Sequence, residues 1–431
     1  MSSTISDTRK PALRKPELRT RASRSGWRLR HGTGFWVIAA AFLAVMAFST
    51  VPTPLYALYQ QRNGFPTWVI TAIFAAYAVG VIASLFLIGH ISDWAGRRRM
   101  VLVAIALELV AAVIFLFWND VSGLLVARVI SGVGVGALTA SATAHLSELR
   151  AVARPEEGPR LAGTVSTVVN TGGLALGPLI AGALAQFLPQ PLLVPYVVFL
   201  VILALAAVAV ALVPETVERA EEQPAYRPQR ISLPAAARNA FSAAAIAAFA
   251  GFAVFGLFTS LAPSVLAGTL HETSQLMAGA VPFSVFAASS VSQIVFARLS
   301  GRAQLVLALV LVVTGLGGLA VGVVAAVLWV FVVSGILAGA GVGLLFRSSV
   351  GVAASLAAPD RRGEVLSAIF LVAYIGLAVP VLLVGVALIV WPLVPVLVVF
   401  VIVVGVLSLL AGLRMLGRTT PTPRTDRDAR A

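Results

Sequence analysis

Apolar runs of about 20 residues, the length needed to cross a ~30 Å hydrocarbon layer as a helix, recur along this chain with short polar breaks between them. Gly34 to Tyr56, Trp68 to Ile88, Met100 to Trp118 and Ser122 to His145 are the first four. Leu161 to Phe187 and Leu192 to Val213 follow, and the polar, proline-bearing stretch PETVERAEEQPAYRPQR then interrupts the pattern. Six further runs come after it: Phe241 to Ala267, Leu276 to Ala297, Gln304 to Val324, Leu328 to Ala357, Val365 to Leu388 and Trp391 to Leu413. No charge separates the ninth from the tenth. One helix from Gln304 to Ala357 would far exceed the bilayer, so the pattern predicts a break between Ala325 and Trp329. The chain is expected to be all-α, with twelve transmembrane helices in two pseudo-symmetric six-helix bundles. Its parts are a basic leader (1–33), a first bundle (34–213), a linker (214–240), a second bundle (241–413) and a tail (414–431).

Composition agrees with lipid as the solvent: 59% of the 431 residues are hydrophobic and 11% charged, against roughly 25% charged in ordinary soluble domains. The net charge of +14 is spread through short clusters between spans, which argues against nucleic-acid binding. There is no Cys, excluding thiolate chemistry. His31, His90, His145 and His271 lie in four separate segments without ligand spacing, so no metal or other cofactor is expected. If the amino terminus is cytoplasmic, all Lys and Arg except Arg62, Arg128 and Arg347 fall at the cytoplasmic ends. By the positive-inside rule both termini are then cytoplasmic, and a multi-pass protein of the plasma membrane is expected.

The two halves resemble one another. FSTVPTP at Phe48 aligns with FTSLAPS at Phe258, GVGALTASATAHL at Gly134 with GVGLLFRSSVGVA at Gly341, and GLALGP at Gly173 with GLAVP at Gly376. Six spans followed by a related six is the layout of transporters that rock two bundles about a midplane site.

Three motifs bear on mechanism. Between the second and third spans GHISDWAGRRR places Gly89, Asp93, Gly96, Arg97 and Arg98 in the spacing GxxxDxxGRR, in which glycines permit a tight turn and a carboxylate can sit at a helix amino terminus. On the fourth span Arg128, Gly132, Gly136, Thr139 and Thr143 share a face. A charge at that depth needs an interior partner, and Glu108 on the third span is the candidate. As the carboxylate well inside a span, Glu108 is the default proton carrier; a permanent structural pair with Arg128 is the alternative. The fifth span carries Gly173, Gly177, Pro178 and Gly182 as GxxxGPxxxG, a face that lets another backbone approach closely. In the second half Gly335, Gly339, Gly343 and Arg347 recur every four residues, Arg347 standing where the aligned first-half segment has Ala140. Arg347 is therefore a candidate substrate contact for a carboxylate, phosphate or dense set of acceptors. Tyr56, Tyr77, Asn170, Gln293 and Tyr374, with Ser49 and Thr50, are further cavity candidates as polar groups on apolar helices.

These motifs resemble those of the major facilitator superfamily, the signature loop being the most specific; the chain has Trp94 where the family usually has a base. The resemblance implies alternating-access transport, with Asp93 reaching the eleventh helix as an inner gate, although a lipid-facing anchor is an alternative. It is similar at the fifth span to exporters and antiporters, and TPLYALYQ in the first resembles bacterial members of that kind. The function expected from this resemblance is proton-coupled efflux of small organic molecules by a monomer. An importer or symporter of a sugar or organic anion is a second reading, and a non-transporting sensor or scaffold a third.

Overall fold

The computed structural model describes residues 28–87, 95–158, 160–217, 237–356 and 362–417. Among these, twelve helices are long and apolar enough to cross a membrane: α1 (His31–Asn63), α2 (Thr67–Leu87), α3 (Arg97–Phe117), α4 (Val121–Ala153), α5 (Arg160–Phe187) and α6 (Val194–Ala211) in the first half, then α7 (Arg238–Ser260), α8 (Gln275–Arg298), α9 (Gly301–Val324), α10 (Leu328–Leu356), α11 (Val365–Ala387) and α12 (Leu393–Leu416) in the second. The all-α, twelve-span expectation holds. The doubtful ninth-to-tenth boundary is a short turn in which Ala326 takes a positive φ of 52°. Several helices outrun their apolar stretch. At 33 residues, α4 is about 50 Å long at 1.5 Å per residue, so its polar end, with His145, Glu148 and Arg150, continues toward the side that carries both termini.

The first helix of each half breaks at its proline pair or single proline. Within α1 the helix His31–Thr50 gives way at Val51 to Pro52–Asn63, and α7 is followed across Leu261 by a short helix, Ala262–Gly268, with Pro263 in its first turn. A proline removes a backbone donor while tolerating the first turn of a helix, which explains why FSTVPTP and FTSLAPS interrupt their spans alike. Outward faces are apolar: Leu205 and Val208 on α6, and Val399 and Ile402 on α12, are exposed, as surfaces solvated by lipid tails should be.

Glycines set the packing inside each half, and they do so twice. Replacing Gly132 with a side chain would put its Cβ 2.1 Å from the Tyr77 carbonyl of α2; at Gly339 the Cβ would lie 2.3 Å from the Val285 carbonyl of α8. Gly134 meets the Ala104 carbonyl of α3, and its aligned counterpart Gly341 meets the Ala308 carbonyl of α9. Gly173 abuts Leu43 of α1, and Gly376 abuts Phe249 of α7. Backbones this close gain dispersion contacts that bulky residues would prevent, the means by which helices associate where no hydrophobic drive exists.

Candidate functional site

The halves touch mainly through two helix pairs, α2 with α11 and α5 with α8, with smaller contacts made by the Pro52–Asn63 part of α1. On the side away from the termini the fit is tight. A Cβ on Gly279 of α8 would come within 2.1 Å of the Pro178 carbonyl, one on Gly182 of α5 within 2.4 Å of the Gln275 carbonyl, and one on Gly385 of α11 within 1.9 Å of Thr71 Oγ1 of α2. The Gln275 amide and the Ser274 hydroxyl both donate to Gln186 Oε1, at 2.8 and 3.2 Å. Toward the terminal side the packing loosens on α4, α5 and α10. A Cβ on Gly163 or Gly351 would meet nothing within 4 Å, and Thr143, Ser147 and Arg347 are exposed. Among the described residues the molecule is thus sealed on the far side and open toward its termini.

Between the halves lies a cavity of about 100 Å³. The first half lines it with Thr50, Thr53, Phe74, Tyr77, Arg128, Thr139, Asn170, Thr171 and Leu174; the second with Phe252, Phe255, Thr259, Phe286, Ser289, Gln293, Phe346, Phe370, Tyr374 and Leu377. Five cavity candidates from the sequence, Thr50, Tyr77, Asn170, Gln293 and Tyr374, are brought together here. Tyr56 is buried beside this group without lining it. The phenylalanines were not anticipated, although Phe252 and Phe255 lie three apart on a helix and share a face.

Arg128 is the cation of the lining. It is only 3% exposed; its Nη1 donates to the Ser49 carbonyl at 2.6 Å, and its guanidinium sits 4.3 Å from the centre of the Tyr77 ring and 5.8 Å from that of Phe74. Ring faces attract cations, but Nε finds no hydrogen-bond acceptor. The expected direct pair with Glu108 does not form among the described residues. Glu108 is fully buried against Gly134, near Ser131 and within electrostatic reach of Arg128, and both its carboxylate oxygens lack hydrogen-bond partners. The reason is Ser49: its carbonyl, beside the proline break of α1, captures the arginine donor.

Arg347 lies outside the lining. It is exposed toward the terminal side, where its Nη1 donates to the Gln293 carbonyl at 2.6 Å. The glycines of α5 divide their work: Gly173 and Gly177 seat α5 on α1 of its own half, while Pro178 and Gly182 meet α8 of the other. Gly136 packs on Ser84 of α2.

Of the signature loop, Gly89 and Asp93 lie outside the described residues. Gly96 has φ 105°, a conformation natural to glycine, and a Cβ there would strike Glu215. Arg97 pairs with Glu148 of α4 at 3.1 Å. The Arg98 amide donates to Glu215 Oε1 at 3.3 Å, and its Nη1 to the Val213 carbonyl at 3.0 Å. His145 Nε2 donates to the Pro214 carbonyl at 3.1 Å. The loop's described residues therefore bind the end of α4 and the segment after α6, within their own half.

Two glycine-packed bundles around a midplane cavity, sealed on one side and open on the other, define a secondary transporter scaffold. The Major Facilitator Superfamily family model matches residues 37–325, and the chain belongs to that superfamily. It is 28% identical over 173 residues to an uncharacterized MFS-type transporter of Mycobacterium tuberculosis, covering 38% of this chain and 28% of that protein. Over 94 residues it is 33% identical to the arabinose-proton symporter of Bacillus subtilis, covering 22% and 19%. The chain thus spans well under half the length of either relative. Among solved structures it resembles the human organic anion transporter MFSD10 (TM-score 0.62, 16% identity) and a mutant form of the nucleoside transporter NupG (TM-score 0.65, 9% identity), covering 90% of this chain and all of each. At these identities the structural likeness concerns the fold.

Proposed function

We propose that the protein is a proton-coupled symporter that carries a small organic anion toward the side of its termini, the cytoplasm. One observation carries this reading: a buried arginine with an unsatisfied Nε donor forms part of the cavity wall, and the buried carboxylate of Glu108 stands on the helix packed against it. An anion on Arg128 satisfies the guanidinium, and a proton on Glu108 removes a charge that burial disfavours. Loading both leaves the transported unit close to neutral, which suits a cavity walled largely by carbon.

Efflux, the reading drawn from the glycine pattern of α5, receives less support than uptake. Gly173 and Gly177 pack α5 within its own half, a task common to either direction. The names of similar proteins include a proton symporter and an organic anion transporter. Arg347, exposed on the terminal side near Gln293, acts in this scheme as the last arginine an anion meets as it leaves toward that side. Asp93 remains the proposed gate residue, and the plasma membrane the proposed location, with both termini inside by the distribution of Lys and Arg. A thermal-shift series on purified protein tests the cargo class. Organic acids should stabilise it and lose that effect in Arg128→Ala, whereas stabilisation confined to neutral sugars or to lipophilic cations would overturn the proposal.

A further inference from the structure

The cavity's two walls differ in chemistry. From the first half come Arg128, the amide of Asn170 and several threonines, beside the rings of Phe74 and Tyr77. Thr139 and Thr171 donate their hydroxyl protons to carbonyls one turn back on their own helices, leaving oxygen lone pairs for the cavity. The second half presents mostly rings, with Thr259, Ser289 and Gln293 among them. Phe255 and Phe286 stack with centroids 4.5 Å apart. Phe252 meets Phe255 and Tyr374 edge-on at 5.7 and 5.8 Å and Phe346 in a tilted contact at 5.0 Å, and Phe346 continues to Phe370 at 5.6 Å. Six rings from α7, α8, α10 and α11 form one connected sheet of π faces and edges. Phe252, Phe346, Phe370 and Tyr374 are only half-buried, unlike the fully buried rings of Phe42, Phe48 and Phe199 in the first half, so part of each ring is left for a ligand.

We propose that the cargo carries a flat, unsaturated ring system that lies against the phenylalanine wall of the second half while its anionic end meets Arg128 of the first. This deepens the anion reading above and rests on it. Physically, a planar π system gains offset-stacked and edge-to-face contacts that a saturated body of the same size does not. A cargo with both parts also bridges the halves, giving each bundle a separate hold on it.

The test uses four probes on the full chain in lipid nanodiscs: 2-naphthoate, its saturated analogue decahydro-2-naphthoate, the neutral 2-naphthamide, and gluconate. Binding is read by calorimetry, and ligand protons in contact with protein by saturation-transfer NMR on the wild type. 2-Naphthoate should bind about 3- to 10-fold more tightly than its saturated analogue, the range expected of one or two aromatic contacts, with saturation strongest on its ring protons. Phe252→Leu and Phe346→Leu should erase that preference while leaving naphthoate ahead of naphthamide, and unchanged elution and melting would show that the variants fold. Equal binding of the aromatic and saturated acids, or a preference for gluconate, overturns the ring proposal and spares the anion reading. Equal binding of naphthoate and naphthamide overturns the anion reading and spares the ring wall. No binding by any probe overturns both.

Discussion

Gly279→Ala should open the far side. The added methyl would sit 2.1 Å from the Pro178 carbonyl oxygen and 2.8 Å from its carbon, where ordinary contact needs more than 3 Å. Both atoms are backbone, so no side chain can turn away. Relief requires α8 to move off α5 by about 1 Å, and overpacking of this kind costs about 1–3 kcal/mol. The strain exists only while the far side is closed, so it raises the population of the far-side-open state by about 5- to 150-fold. The chain has no Cys, which allows a clean reporter. Thr53→Cys, in the cavity lining yet only 3% exposed, should react with an impermeant maleimide added from the far side. Labelling should rise at least severalfold with Gly279→Ala and stay at the parent rate with Gly163→Ala, whose Cβ meets nothing. Equal rates in both, with normal protein yield, would refute the view that backbone contact at Gly279 holds the seal.

Glu108→Gln should remove the pH dependence of transport at little cost to folding, because the amide keeps the shape of the carboxylate and no direct ion pair with Arg128 is broken; a drop of ~3 kcal/mol or more in stability, the mark of a broken buried ion pair, would make Glu108 structural instead. Glu148→Gln should loosen the signature loop by roughly 1 kcal/mol, since its bond to Arg97 is partly exposed, and hydrogen exchange at the start of α3 should rise; unchanged exchange would contradict the assignment. Arg347→Lys should weaken anion binding from the terminal side as an ammonium cannot reproduce the planar fork, and equal transport by Arg347→Lys and Arg347→Ala would leave it no role with cargo.

What the sequence revealed and what it concealed divide along physical lines. Span number followed from the length of apolar runs against a bilayer of set thickness, and even the uncharged break at Ala326 could be placed that way. Glycine spacing showed which face of α5 would be approached, but not by which helix. Gly173 and Gly182 lie on one chain segment and serve different neighbours, a matter of tertiary arrangement. Arg128 and Glu108 looked like a pair because neighbouring helices put them within reach. The competing acceptor, the Ser49 carbonyl, is a backbone atom and leaves no trace in residue identity. The ring wall went unread because phenylalanine in an apolar span is indistinguishable from core until its neighbours are known.

The most direct test of the account is proton movement driven by a permanent anion. Naphthalene-2-sulfonate cannot carry protons across a bilayer by itself, so vesicles reconstituted with the protein and a trapped pH dye report coupling alone. With the membrane potential clamped, adding the sulfonate outside should acidify the interior as it enters. Glu108→Gln should abolish the acidification, and Arg128→Ala should abolish both acidification and uptake. Uptake of the sulfonate with no proton movement, or failure of a proton gradient to drive any uptake of it, would contradict proton-coupled anion transport.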